Sequence, residues 1–198
     1  MKVTVKRDGK IDSIVSMLKT EGGQHVRVGV LEGAQTVDGK PMAEIATYLE
    51  YGWVQRITKA QAGYFRHTYG IGLHPGGTLN LPPRPFFRGT FAAEYKKWAQ
   101  LGGKAVFHYN SLTKALQLVG MTAQGDIQAT IRNGGTSTEK FPRRSPMTME
   151  ILRKNAEGHE ARGKNVSGGG ASATDQPLIL SGRLLNSISF EIVKDGDA

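Results

Sequence analysis

The sequence of 198 residues contains no cysteine, which excludes a disulfide-stabilised scaffold and an enzyme with a catalytic thiol. No apolar run approaches the roughly 20 residues of a membrane-spanning helix, and the first residues lack the apolar stretch of a secretory signal. Acidic residues are scarce between residues 61 and 134, where only Glu94 and Asp126 occur. A metal-dependent phosphodiesterase needs several converging carboxylates, so this scarcity argues against an enzyme.

Basic residues are in excess, and the formal net charge is +9. Most of the surplus lies between residues 61 and 134, which hold eight basic and two acidic side chains. A basic belt favours nucleic acid through counterion release, and it serves equally as a solvated face or as a docking surface for an acidic protein. The candidates for DNA-facing basic residues are Arg66, Lys96, Lys97 and Lys104.

Alternating apolar residues predict three strands. They span residues 2–6, 25–31 and 187–193, and the last of these shows the clearest alternation in the chain. The third strand must pair with distant strands to cover Ile188 and Phe190, and 2–6 and 25–31 are the expected partners. The sequence therefore predicts a small antiparallel sheet built from distant segments.

Apolar residues at helical spacing predict four helices. Their apolar faces are carried by residues 11–18, 42–49, 87–101 and 112–131. Pro41 is expected to open the second helix, and Gly102 and Gly103 are expected to bend or break the third. Two or three helices packed with a small antiparallel sheet make an α+β fold, to which long extended loops or arms are added.

Two long stretches lack this periodicity. Residues 53–83 are rich in Gly, Pro and aromatic residues and predict an extended loop, or a β-hairpin, that lies on a partner or on its own domain. Residues 135–176 are rich in Gly, Ser, Thr, Lys and Arg and predict a flexible arm or insertion, with one short helix capped by Ser145. We therefore expect a single core domain of residues 1–134 and 177–198.

Cations and aromatic residues are interleaved between residues 84 and 104. Such a mixture can stack the bases of single-stranded nucleic acid, whereas aromatics at helical spacing more often form core and leave the cations outside. Glu94 and Lys96 match the end of a nuclease motif, but in a helical pattern they are better explained by surface charge pairing. The stacking and core interpretations of the aromatic residues both stay open.

Four segments stand out in order along the chain. They read VRVGVL at 26–31, AEIATYLEYG at 43–52, LPPRPFFRGTF at 81–91 and PLILSGRLLNSI at 177–188. Together they resemble the neck and tail-completion proteins of tailed bacteriophages. The segment FPRRSPMT at 141–148 is also similar to a segment of related virion-morphogenesis proteins.

The resemblance implies a structural protein of the virion neck or tail, assembled in the host cytoplasm, with no enzymatic activity, cofactor or metal. Copies of the chain are expected to form a homo-oligomeric ring, six- or twelve-fold, at the head–tail junction through which DNA passes. The expected neighbours are head–tail connector or portal-side neck proteins, and tail terminator, tail tube or sheath proteins, with non-specific contact to packaged DNA and no membrane. The alternatives are a tail terminator protein and a basic nucleic-acid-binding module.

Loops that carry aromatic residues and prolines are the expected ring interface. A ring needs heterologous contacts that close by rotation, and long arms provide contact area that a small core lacks. Packing within their own domain is the alternative for the same residues. The interface candidates are Tyr48, Tyr51, Trp53, Pro82, Pro83, Arg84, Phe86, Phe87 and Arg88.

Overall fold

Helices and strands follow one another in an α+β arrangement, as the sequence predicts. The structure is a computed structural model that describes residues 9–31, 33–36, 39–160, 177–179 and 182–196. The predicted strand at 2–6 lies outside these described residues. In chain order the elements are α1 (Gly9–Glu21), β1 (Gln24–Val30), α2 (Met42–Tyr51), β2 (Trp53–Arg56), α3 (Lys59–Tyr69), β3 (Thr78–Leu81), α4 (Phe86–Tyr109), α5 (Leu112–Arg132), α6 (Pro146–Glu160), α7 (Arg183–Ser187) and β4 (Ile188–Lys194).

The two longest helices form a helical hairpin. α4 and α5 are joined by Asn110 and Ser111, and a connection this short makes neighbouring helices antiparallel. Asn110 ends α4 in the left-handed conformation, with a φ of 49°. The Oγ of Ser111 accepts a hydrogen bond from the Lys114 amide and so caps α5. α4 continues through residues 102 and 103 without the break that paired glycines had suggested.

A two-stranded antiparallel sheet packs on α5. β1 pairs with β4 in a register that places Val28 opposite Phe190 and Val26 opposite Ile192. This pairing confirms the predicted partnership of residues 25–31 with the late strand. The ring of Phe190 lies directly against Gly120 of α5, so a glycine lets the strand approach the helix closely.

One cluster of buried apolar side chains joins these elements. Phe86 and Ile131 are fully buried within it, and Thr90 of α4 donates a hydrogen bond to Thr130 of α5 across 2.7 Å beside them. Because each of these two hydroxyls has a hydrogen-bond partner, their burial leaves no polar group unsatisfied. The buried members of the cluster are Met42, Ala46, Phe86, Ile127, Ile131, Phe141, Leu184 and Ile188.

The stretch 53–83 is more regular than a loop. β2 and β3 pair antiparallel, with Trp53 opposite Leu81, so the strand pairing of the β-hairpin alternative is present, but a helix lies between the two strands and the expectation of an extended loop was wrong. The intervening α3 was not predicted from the sequence, because Ala62 is buried while its larger apolar residues stay at least partly exposed. A capping box starts this helix: Thr58 Oγ1 accepts from the Gln61 amide, and Gln61 Oε1 accepts from the Thr58 amide.

The predicted helix at the start of the chain is present as α1, but the side chains of its apolar face are not part of the core. Ile11, Val15 and Leu18 are exposed, and Met17 is the side chain of α1 that is buried. α1 contacts the rest of the molecule on a different side, where Asn110 donates a hydrogen bond to Ser13 at 2.7 Å.

The first part of the stretch 135–176 takes part in the core. Phe141 is buried in the main cluster, and Gly135 pairs with Lys140 in a short antiparallel bridge. The predicted short helix is present as α6, with the Oγ of Ser145 accepting from the Thr148 amide at 3.2 Å. Residues 161–176, the rest of the proposed arm, lie outside the described residues, and the domain boundaries stay a prediction.

Gly120→Ala is expected to destabilise the protein by about 1–3 kcal/mol, because its Cβ collides with the ring of Phe190 and overpacks the interface of α5 with β4. Gly125→Ala in the same helix is the matched control, since its Cβ meets no atom within 4 Å. It should be neutral or stabilise by up to about 1 kcal/mol, as alanine favours helix. Urea denaturation followed by circular dichroism measures both, and equal stabilisation would contradict the close packing of β4.

Candidate interaction surfaces

The N-terminus of α4 is held by a carboxylate from α2. Pro85, which precedes α4, offers no side chain that could cap the helix. Glu50 is 3 % exposed and takes this role, accepting hydrogen bonds from the amides of Phe87 at 2.9 Å and Arg88 at 3.0 Å. The free amides and the positive end of the helix dipole favour a negative charge at this position.

Arg88 completes this arrangement. Its Nε donates to Glu50 Oε1 at 3.0 Å, and its Nη2 donates to the backbone oxygen of Glu50 at 3.1 Å. The guanidinium also lies 4.3 Å from the centroid of the Tyr51 ring, a cation–π contact. The Arg84 amide donates to the backbone oxygen of Leu49 at 2.8 Å. The last turn of α2 and the first turn of α4 therefore form one connected unit.

Three exposed aromatic side chains project from this unit, and we call them the aromatic patch. Tyr48 and Tyr51 lie one turn apart on α2, and the ring of Trp53 is 6.2 Å from that of Tyr48. They are 40, 61 and 42 % exposed, respectively. The hydrogen bond that the Tyr48 hydroxyl donates to Glu44 raises the pKa of Tyr48 above its usual value. Exposed aromatics beside an arginine are typical of protein interfaces.

The proline segment lies next to the aromatic patch. Gly52 has a φ of 77°, and a Cβ there would meet the backbone oxygen of Leu81 and the nitrogen of Pro83 within 3 Å. The glycine thus lets β2 turn away from α2 directly against the prolines. Pro83 is exposed, and Pro82 is partly exposed. The structure therefore brings interface candidates from two separate segments, 48–53 and 82–83, next to each other.

Two interface candidates are wrong. Phe86 is fully buried in the core, and Arg84 is 5 % exposed with its Nε donating to the backbone oxygen of Pro142 at 3.1 Å. Burial, together with the nearby charge of Arg144, lowers the pKa of Arg84. The segment turns inward after Pro82 and Pro83, so these two side chains lie in the interior at the start of α4 and not on the surface.

A second apolar surface, the apolar groove, runs between β1 and α4. It has a volume of about 760 Å³. Phe91 and Tyr95 are exposed in it, because no described residue covers this face of α4, so within the described residues these two aromatics are not part of the core. Phe87, another interface candidate, lies at one end. The groove is lined by Val26, Val28, Phe87, Arg88, Phe91, Tyr95, Trp98, Ala99, Gly102, Val119, Ala123 and Ile127.

A third apolar surface is the α1 stripe of Ile11, Val15 and Leu18. Lys10 of this helix lines a shallow cleft with Phe107 and neighbouring residues in the last turns of α4. The aromatic patch contacts the first turn of α4 instead. Since the 24 residues of α4 span about 36 Å, the stripe and the patch lie near opposite ends of the molecule. The periodicity of the stripe was visible in the sequence, but its exposure was not.

The basic candidates differ in their environments. Lys97 Nζ lies 2.7 Å from carboxylate oxygens of both Glu94 and Asp126, so its charge is neutralised locally. Burial lowers the pKa of Lys97, but hydrogen bonds to these two carboxylates outweigh it and raise the pKa. Glu94 thereby takes part in the surface charge pairing that the sequence favoured. Arg66, Lys96 and Lys104 are exposed on α3 and α4.

No protein-family model matches the chain, no curated protein is significantly similar to it, and no solved structure matches it. Within the described residues, no group of three or more His, Asp or Glu side chains is placed to hold a metal ion. No helix in that part of the chain has the length and apolarity needed to cross a membrane. The three apolar surfaces are therefore the structural basis for a proposal.

Glu50→Gln is expected to lower the free energy of unfolding by about 1–3 kcal/mol, because a neutral amide caps α4 poorly and leaves Arg88 without its carboxylate. Glu44→Gln, an exposed substitution on the same helix, is the matched control and should change stability by less than about 0.5 kcal/mol. Urea denaturation measures the two variants. A similar effect of both substitutions would show that Glu50 is not the cap of α4.

The stability contributed by Glu21 is expected to depend on pH. A hydrogen bond from the Thr113 amide, at 2.9 Å, lowers the pKa of Glu21 below its usual value of 4.5. A lowered pKa stabilises the folded state above that usual value, and the contribution is lost as the pH falls through the folded-state pKa. The stability difference between wild type and Glu21→Gln should therefore be present at pH 7 and shrink in acid.

Asp12→Asn, on the exposed side of α1, is the control for this experiment and should follow the pH profile of the wild type. Thermal unfolding in a series of buffers from neutral to acidic pH provides the readout. A difference between wild type and Glu21→Gln that stays constant across the series would show that the carboxylate does not hold α5.

Proposed function

We propose that the chain is a structural protein of a tailed-phage virion, which forms a homo-oligomeric ring in the neck at the head–tail junction, through which DNA passes. The resemblance of the four ordered segments supports the virion setting. One structural observation supports self-association. Two different exposed apolar surfaces, the aromatic patch and the α1 stripe, lie near opposite ends of α4.

Two unlike surfaces on one molecule are what a ring requires. In a heterologous contact, one surface of a copy meets a different surface of the next copy, and the chain of contacts closes when the rotation between copies closes. Because most of the length of α4 separates the patch from the stripe, one copy can bind two neighbours at once. A single self-complementary surface would instead stop at a dimer.

The chemistry of the two surfaces is complementary. Ile11, Val15 and Leu18 have the spacing of a helix face that docks on an apolar surface of a partner. Tyrosine, tryptophan and arginine are the residue types that contribute most to interface energy, and the patch offers them beside Arg88. Each surface buries apolar area on contact, at about 25 cal/mol per Å² removed from water.

The anchored position of the patch also favours an interface. Glu50 and Arg88 hold the end of α2 on α4 by four hydrogen bonds, so the tyrosines of the patch lose little freedom when a partner binds. Binding costs less when the contacting groups are already ordered. In the assembled ring, the exposed Arg66, Lys96 and Lys104 are the proposed sites of non-specific contact with packaged DNA.

A pair of variants tests the head-to-tail contact. Tyr51→Ala with Trp53→Ala removes the patch, and Val15→Asp disrupts the stripe. Each variant alone is expected to stay monomeric, because every contact needs one patch and one stripe. An equimolar mixture should give a heterodimer and nothing larger, since one intact patch meets one intact stripe. Size-exclusion chromatography with light scattering measures the masses beside the wild-type ring.

The control is Ser16→Asp, which adds the same charge to α1 about 100° around the helix from Val15 and should leave the ring intact. Dimers of the Val15→Asp variant alone would indicate contact between two patches and contradict the head-to-tail arrangement. Wild-type protein that stays monomeric at high concentration and binds duplex DNA with a steep salt dependence would favour the nucleic-acid-binding alternative. In infected cells, loss of the patch is expected to give heads without attached tails.

A further inference from the structure

The sheet has an unpaired edge beside exposed apolar side chains. In the described part of the chain the sheet consists of β1 and β4, so one edge of β1 carries no neighbouring strand. The apolar groove lies on that side, since Val26 and Val28 of β1 line it and β4 contributes no lining residue. Free backbone groups next to an apolar trough are the features that accept an added strand.

The groove has the dimensions of a short strand. Its wall on α4 extends from Phe87 to Gly102, which corresponds to about 22 Å along the helix axis. The seven residues of β1 span about 23 Å on the opposite wall. A segment of five extended residues measures about 17 Å and fits between them.

α1 begins at one end of the groove. Lys10 lies beside Gly103 and Lys104, directly after Gly102 at the end of the groove wall. β1 begins at the same end, because Thr113 at the start of α5 donates a hydrogen bond to Gln24 at 2.8 Å. A segment leading into α1 along the groove would therefore run antiparallel to β1.

We propose that residues 2–6 of the same chain form a third strand on the free edge of β1 and bury Val3 and Val5 in the apolar groove. The segment reads Lys-Val-Thr-Val-Lys, so its two valines share one face and its polar residues share the other. Lysines on the resulting outer strand keep the new edge from pairing with further strands. Three strands are also more stable than two on their own.

The charges of Arg27 and of the lysines in residues 2–6 favour one register of the proposed strand on β1. Val3 opposite Val28 and Val5 opposite Val26 place both valines beside residues that line the groove, and Thr4 then lies opposite Arg27. A shift by two residues in either direction places a lysine opposite Arg27, and like charges directly across a sheet are destabilising. A shift by one residue turns both valines out to solvent.

The proposed third strand covers one of the three apolar surfaces and leaves the other two exposed. With Val3 and Val5 in the groove, Phe91, Tyr95 and Trp98 become part of the core. The aromatic patch and the α1 stripe stay free for contacts with other chains. This inference is independent of the ring, because a monomer closes its own groove as well as a ring subunit does.

An engineered disulfide tests the proposal, and the absence of cysteine from the chain makes the result unambiguous. Val5→Cys with Val26→Cys, in the full chain, is expected to form a disulfide within one chain on mild oxidation. Paired residues of antiparallel strands lie about 4.5–5.5 Å apart at Cα, within the range that a disulfide spans. Non-reducing electrophoresis and mass spectrometry of peptides identify the bond.

Thr4→Cys with Val26→Cys is the matched control and should stay reduced, because in the proposed strand residue 4 belongs to the face opposite that of residues 3 and 5. A bond that joins two chains in the first variant would show that a second copy fills the groove, and it would overturn the proposal. A folded variant that stays reduced would overturn it too.

If the cysteine variant does not fold, the fluorescence of Trp98 tests whether residues 2–6 cover the groove. The chain has two tryptophans, Trp53 and Trp98, so Trp53→Phe leaves Trp98 as the reporter in the groove. In that background, Val3→Asp with Val5→Asp should shift Trp98 emission to longer wavelength and raise its quenching by acrylamide. Thr4→Asp should leave both unchanged. Identical emission and quenching in all three proteins would show that residues 2–6 do not cover the groove.

Discussion

Each of the two long helices begins at a glutamate that belongs to an earlier helix. Glu50 of α2 accepts the first free amides of α4, and Glu21 of α1 accepts the Thr113 amide at the start of α5. A helix N-terminus presents unpaired amides and partial positive charge, so an acceptor from elsewhere in the chain both stabilises the helix and ties two elements together. The positions of α1 and α2 on the helical hairpin follow from these two contacts.

The burial of Glu50 is tolerable only because its carboxylate is fully engaged. A buried charge is costly unless hydrogen bonds replace the water it loses. Both oxygens of Glu50 accept backbone amides of α4, and Arg88 adds a charged partner whose guanidinium also contacts Tyr51. The same few atoms therefore cap a helix, neutralise a buried charge and order one aromatic side chain at the surface.

The exposed apolar residues belong to two kinds of surface, helix faces and a groove beside a sheet edge. The two tyrosines of the aromatic patch and the α1 stripe are carried on helices that these two glutamates anchor, near opposite ends of α4. The apolar groove instead adjoins an edge of β1 that has no neighbouring strand among the described residues, where backbone groups are available for added hydrogen bonds. Anchored helix faces suit contacts between whole subunits, and an open edge suits an extended segment.

Local patterns in the sequence were enough to place α1, α2, α4, α5, the Ser145 cap of α6, and the pairing of β1 with β4. Periodicity and capping act over a few residues and are therefore readable without the fold. Burial is different, because it depends on which element covers a face. Ile11 and Phe91 share the helical spacing of core residues yet stand in solvent, whereas Phe86 and Arg84 follow a proline-rich surface segment and lie inside. The role of Glu50 was equally invisible, since its partners are 37 and 38 residues away and meet it only when α2 docks on α4.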